Sequence, residues 1–486
     1  MNVPVLISII VYMVGMLWIG YYAYKRTSNL SDYMLGGRSL GPAVTALSAG
    51  ASDMSGWLLM GLPGAMYASG LSSGWIVIGL TLGAYANWLY VAPRLRTYSE
   101  LAGNAITIPQ FLENRFHDTS HVLRLVSGLV IMVFFTFYVS AGLVSGAVLF
   151  RNTFNMDYEW GLWIIALVVV AYTLFGGFLA VSWTDFVQGL IMLIALILVP
   201  AVTIMHVGGI GPAFTEIRSI DPALLDIFKG TSLLGIISLF AWGLGYFGQP
   251  HIIVRFMAIS SVGEIKRARR IGMGWMIFSI CGAMFTGLIG IAYFSKKHGK
   301  LADPETVFIE LGKILFHPLI TGFLLAAILA AIMSTISSQL LVTASAVTED
   351  LYRTFFRRRA TDRELILVGR LAVLLVSAVG IFLAYQQTNT ILALVGYAWA
   401  GFGASFGPVI LLSLYWKRMT KWGALAGMVA GAVTVIVWTQ IPFLKGMLYE
   451  MVPGFAAGLL AIVAVSLLTK PAKAAQEQFE QLEQPA

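Results

Sequence analysis

Ser334 and Thr335 are adjacent hydroxyls inside an apolar run, within Ala331-Ile332-Met333-Ser334-Thr335-Ile336-Ser337-Ser338-Gln339. Two arrangements suit them. Hydroxyls in a membrane helix bond back to their own carbonyls, or the pair offers two hard oxygen ligands to a small cation. Asp53 is the second chemical signal. It reads as the only carboxylate deep in an apolar run, in Ala49-Gly50-Ala51-Ser52-Asp53-Met54-Ser55-Gly56-Trp57. A charge inside a membrane is costly and marks a site or a pairing with a neighbouring helix. The residues around it are small, polar and poor helix formers, and Pro63-Gly64 closes the run. We read an unwound middle, tolerated at membrane depth only where the freed backbone lines a cavity; a close-packed face of small residues is the alternative. With the helix unwound, carbonyls near Ala51 and Met54 complete an oxygen shell with Ser334 and Thr335.

A second interrupted run carries Trp242-Gly243-Leu244-Gly245-Tyr246-Phe247-Gly248-Gln249-Pro250-His251. Its glycines match the dinucleotide fingerprint, but no strand precedes them and the segment is apolar throughout, so the match is accidental. Three glycines and a proline in ten residues fit a second broken helix.

The elements that position these residues follow from composition. Apolar residues make up 58% of the 486-residue chain and charged residues 11%, against about a quarter charged in soluble domains. This points to an all-α polytopic membrane protein and excludes a disulfide scaffold, a disordered chain, an ordinary soluble enzyme and an outer-membrane barrel. Thirteen apolar runs are read, near 4–24, 40–68, 72–92, 122–149, 158–179, 184–207, 231–256, 271–294, 315–345, 367–385, 389–415, 421–441 and 447–469. The first has no basic residue before it and Lys25-Arg26 after it, the wrong order for a cleaved leader. With the N-terminus outside, 23 of the 31 Lys and Arg fall on the cytoplasmic side, as the positive-inside rule requires. The net charge of +8 is then assigned to loops facing anionic lipid, not to nucleic acid. The two interrupted runs are the second and the seventh. Two five-helix units of opposite orientation, about 40–207 and 231–415, would each open with a broken helix, the pattern of inverted-repeat transporters with a midplane site.

The remaining signals are read as structural. Ser182-Trp183-Thr184-Asp185 resembles a capping box opening the sixth run. Asp303-Pro304-Glu305 starts a short helix in an outside segment, either an external gate or a passive loop helix. Arg38 lies at the cytoplasmic end of the second run, as a lipid or gate contact. Cys281 is taken as a buried core thiol. The six histidines have no metal-ligand spacing, and no nucleophile motif or phosphate loop is present, so neither an enzyme nor an ATP-driven pump is expected. One transmembrane domain, 1–469, is expected, followed by a disordered polar cytoplasmic tail, 470–486, too short for a signalling domain.

Leu35-Gly36-Gly37-Arg38-Ser39-Leu40-Gly41-Pro42 followed by Ala46 to Trp57 resembles the sodium/solute symporter family, its proline-carrying members above all. Gly176 to Asp185, Trp242 to His251, Ala330 to Gln339 and Tyr397 to Ala404 extend the resemblance almost end to end. It implies thirteen helices around a ten-helix core like that of the leucine transporter. It implies sodium as coupling ion, no cofactor, and a sodium site of the backbone oxygens of Ala51, Met54 and Ala331 with the hydroxyls of Ser334 and Thr335. Asp53 would act on sodium-dependent binding, directly or by holding the broken helix. Ser55, Gly56 and Trp57 would lie near the substrate, with Tyr138, Trp242, Tyr246, Gln249 and Pro250 around it. L-Proline would be the substrate, taken up by alternating access across a bacterial cytoplasmic membrane. Aromatic faces suit its ring and its secondary ammonium, and a broken-helix N-terminus suits its carboxylate. Another small organic solute on the same machinery, an ion channel and a transporter-like sensor are the rivals. No oligomeric state is implied.

Overall fold

The computed structural model describes residues 3–25, 30–175, 177–297, 299–386 and 389–483, and these are almost entirely helical. Gly176 of the family motif, Arg26 and the last three residues lie outside them. Ten helices among the described residues are long and apolar enough to cross a membrane, eleven if the bent pair Leu233–Gly248 and Pro250–Ala258 is one span. Thirteen is not reached on length and composition. The end of the second run and the whole of the third fall in one apolar stretch, Trp57–Leu101, and Tyr158–Leu174 is shorter than a full span.

Both interrupted runs are broken. The helix Pro42–Asp53 stops, Met54 and Ser55 leave the helix, and the chain resumes through the wide turns Trp57–Gly61 into Leu62–Ser69. The seventh run goes from Leu233–Phe240 through a tight 3₁₀ stretch, Ala241–Gly248, to Pro250–Ala258, bent by 44°. Pro250 supplies no N–H and sits at the first turn of its half-helix, where none is needed. Gly243 permits the close approach of this stretch to the helix Gly74–Ala86: a Cβ there would lie 2.2 Å from the Gly79 carbonyl oxygen. The two broken runs also touch end to end. Leu40 N–H donates to Ala258 O at 3.2 Å and Ser260 N–H to Leu40 O at 2.9 Å.

The centre is a single apolar core in which Pro318–Ser345 is buried along most of its length. The outer helices turn large apolar side chains outward, Val11, Trp18 and Leu167 among them, as lipid contact requires.

Three local expectations change, and a fourth segment folds as expected. The tail folds as the helix Lys473–Glu483, because Phe479 is 1% exposed and Ala475 2%. Tyr98 meets Phe479 edge-on, and the buried Arg115 guanidinium reaches Ala475 O at 3.3 Å. The capping box is not formed. The helix Phe178–Val207 starts after Gly177, so Ser182 and Asp185 lie in its second turn, facing inward. Cys281 is half-buried. The external segment is packed: Val307, Phe308 and Leu311 are buried, and both Glu305 carboxylate oxygens accept backbone N–H groups, of Ile391 at 2.9 Å and Leu392 at 3.1 Å.

Candidate functional site

The break in the second run determines which backbone groups are free. In a continuous helix Ser55 N–H would bond Ala51 O. Here it bonds Asp53 O at 3.0 Å. The released Ala51 carbonyl accepts Ser334 Oγ at 2.8 Å and lies 3.4 Å from Thr335 Oγ1. Ser334 Oγ also lies 3.1 Å from Ala331 O. Four oxygens, two carbonyl and two hydroxyl, therefore converge in a buried space. Met54 stands at the break with its N–H on Gly50 O at 2.9 Å; its carbonyl makes no hydrogen bond to this group.

The Asp53 carbonyl, also released, collects the Trp57 Nε1–H at 3.4 Å and the Tyr138 hydroxyl at 3.5 Å. Its carboxylate joins the two broken helices: the Tyr246 hydroxyl donates to Oδ2 at 2.5 Å. Oδ1 has no hydrogen-bond partner. Ser55, Gly56 and Trp57 are buried at the break itself, and Gly56 faces Ser145, where a Cβ would clash at 2.7 Å.

The unwound seventh run is held by aromatic packing and side-chain hydrogen bonds. Trp399 Nε1–H donates to Trp242 O at 2.7 Å, and Gln249 Nε2 donates to Trp399 O at 3.1 Å. Gln249 Oε1 is buried without a partner. The Trp242 ring lies 6.4 Å from that of Trp57, and Tyr246 meets Trp399 edge-on at 5.1 Å. Gly245 leaves room for the Trp399 indole, which a Cβ would overlap. Pro250 lines a separate, small space of about 20 Å³ with Met34, Thr107 and Asp350. That volume holds about one water. On the other side, a cleft of about 480 Å³ ends on Trp242 and Tyr449.

Three features escape a reading of the sequence. Trp399 and Tyr449 are remote in sequence from the broken helices, and although Trp399 lies in the motif Tyr397 to Ala404, nothing local marks either as a partner of Trp242. Asp185, read as a cap, is a second fully buried carboxylate, so Asp53 is not alone. Its Oδ2 lies 3.3 Å from Arg255 NH2 and accepts from Ser48 Oγ at 2.8 Å. Ser338 Oγ completes the cluster, 2.6 Å from Arg255 NH2. The cluster thus joins both broken runs to Phe178–Val207 and Pro318–Ser345. Arg38 faces inward. It bonds Asn104, Ser99 and the carbonyls of Met257 and Ala105 at 2.6–3.0 Å.

The model of the sodium:solute symporter family matches residues 33–431. The chain belongs to the sodium:solute symporter family. It is thus a membrane transporter, and no enzymatic activity is assigned to it. It is 72% identical over 465 residues to the high-affinity proline transporter PutP of Bacillus subtilis (strain 168), covering 96% of this chain and 98% of that protein. It is 60% identical to the osmoregulated proline transporter OpuE of the same organism, over 99% of each chain. With sodium/proline symporter 2 of Staphylococcus saprophyticus it shares 55% identity, covering 96% of this chain and 93% of that one. Among solved structures, a Na⁺-coupled sialic acid symporter in a substrate-bound outward-open state superposes with a TM-score of 0.81 at 21% identity, covering 97% and 98% of the two chains. A nucleobase-cation-symport-1 family transporter gives 0.56 at 14% identity, over 94% of this chain and all of that one. The fold is therefore the leucine-transporter-like one, built on two inverted five-helix repeats.

Proposed function

We propose that this symporter carries L-proline inward with sodium by alternating access. The observation that carries the ion half of this reading is the Ala51 carbonyl, released by the break and met by Ser334 and Thr335. The substrate half rests on the proline transporters that share 72% and 60% of its sequence over nearly full length. Sodium binds the oxygens of Ala51, Ala331, Ser334 and Thr335, with Met54 O joining as a further ligand. Proline lies between Trp57, Tyr138, Trp242 and Tyr246, its ring on aromatic faces and its carboxylate toward the freed backbone at Ser55–Gly56. Gln249 and Pro250 close the inner side.

Asp53 couples the two ligands through Tyr246. An ion that settles the broken second run also settles the tyrosine on the seventh, so each ligand tightens the other. One sodium crossing 100 mV releases about 2.3 kcal/mol, and a tenfold gradient adds about 1.4 kcal/mol. At one-to-one coupling this supports accumulation of several hundredfold. An N-terminus outside, a C-terminus inside and thirteen crossings of a bacterial cytoplasmic membrane would put 23 of the 31 Lys and Arg on the inner side, which supports this orientation. Uptake of labelled L-proline by proteoliposomes, with and without an inward sodium gradient, tests the reading. Accumulation above equilibrium only with sodium is expected. Sodium-indifferent uptake would refute the ion site, and competition by other solutes in place of proline would refute the substrate.

A further inference from the structure

The cleft of about 480 Å³ above Trp242 has the size of a ligand pocket, usually about 300–1,000 Å³. Part of its wall is contributed by a segment of the chain outside the ten-helix core. The segment Lys445–Glu450, between the last two long helices, runs across its mouth. Tyr449 stacks on Trp242 at 5.4 Å with the rings 17° apart, and its hydroxyl is fixed on Gly396 O at 2.6 Å. The next residue, Glu450, is 6% exposed and lines the cleft. It precedes the helix Met451–Leu468 yet makes no side-chain capping bond to it. Among the described residues its carboxylate forms no ion pair. Lys445, on the same wall, is exposed and also has no ion-pair partner. A buried anion and an exposed cation over an aromatic floor match a small zwitterion.

We propose that this cleft is an outer binding site for the amino-acid substrate, Glu450 taking its ammonium and Lys445 its carboxylate before it passes Trp242. This rests on the reading of the chain as a proline transporter, with the cleft on the entry side. Such a site is weak, because its charges meet water and salt. It differs from the inner site in needing no sodium, since none of its groups touches Ala51, Ser334 or Thr335.

The test is saturation-transfer NMR of L-proline on the purified protein in nanodiscs, with sodium replaced by N-methylglucamine. A proline signal is expected in that buffer. It should fall at least about threefold in Glu450→Gln, fall in Lys445→Gln, and persist in Ser334→Ala. N-Acetyl-L-proline, which lacks the cation, should fail to displace it. No signal without sodium, or signals in Glu450→Gln and Lys445→Gln equal to that of the unaltered protein, would overturn the proposal. Because Lys445 is exposed, its variant remains decisive if Glu450→Gln does not fold. Sodium-driven uptake by the same purified protein in proteoliposomes separates the outcomes: its absence refutes the transport reading, and its presence with no cleft signal refutes only the outer site.

Discussion

Tyr246 and Asp53 lie 193 positions apart, yet the tyrosine hydroxyl sits 2.5 Å from Asp53 Oδ2. The bond joins the unwound points of two helices that occupy equivalent places in the two repeats. In the proposed function it makes Asp53 a link between the ion side and the substrate side. Asp53→Asn should therefore raise the sodium concentration for half-maximal proline uptake by an order of magnitude or more, because a charge-assisted bond of about 1.5–3 kcal/mol is weakened. Tyr246→Phe should shift it in the same direction. Sodium titration of initial uptake rates checks both, and an unchanged half-saturation would remove Asp53 from the coupling.

The hydroxyls of Ser334 and Thr335 carry the ion assignment. The double variant Ser334→Ala, Thr335→Ala removes two of four converging oxygens while leaving the helix intact. Sodium-driven accumulation should vanish, while the protein still melts as a folded species in detergent. Normal accumulation would return the two hydroxyls to a purely helical role.

Trp242 stands where the outer cleft meets the buried aromatic group, stacked between Tyr449 and Trp399. Trp242→Ala should raise the proline KM at least about tenfold and change sodium half-saturation by less than about threefold, since the loss of aromatic contact acts on the substrate first. Uptake kinetics in both ligands decide it; the reverse order would take Trp242 away from the substrate.

Asp185 and Arg255 form a fully buried pair, 3.3 Å apart, that ties four helices together. Arg255→Leu leaves an uncompensated buried carboxylate, and about 3–5 kcal/mol of stability should be lost. Arg255→Leu with Asp185→Leu should recover much of it. Thermal unfolding in detergent measures both, and equal loss in the single and double variants would show that packing, not charge, dominates at this point.

The C-terminal helix gives a local prediction. Phe479 is its buried anchor, and the ion pair of Lys417 with Glu480 is exposed and contributes little. Amides of 473–483 should exchange slowly in the native protein and fast in Phe479→Ala, with the rest of the molecule unchanged. Equal exchange in both proteins would mean that the helix is held elsewhere.

Much of this was legible in the residues. Glycine, serine and proline interrupt the second and seventh runs because a helix cannot continue through them without help, and both breaks lie where that composition places them. The hydroxyl pair was visible because two adjacent polar side chains inside an apolar run need a reason. Other features were hidden for physical reasons. Trp399, Tyr449 and Arg115 act through contacts that span 53 to 360 positions, and no local period encodes such partners. Asp185 looked like a cap because its spacing from Ser182 is that of a capping box; only the start of the helix at Phe178 turns it inward. The tail reads as disordered by composition, yet a buried Phe479 and a hydrogen bond from Arg115 to Ala475 O dock it as a helix.

The central claim is that the ion held at the broken second run completes the substrate site. Calorimetric titration tests it most directly: the proline Kd with and without saturating sodium, and the sodium Kd with and without saturating proline. The account predicts tightening of both, by the same factor. A proline Kd indifferent to sodium would contradict it.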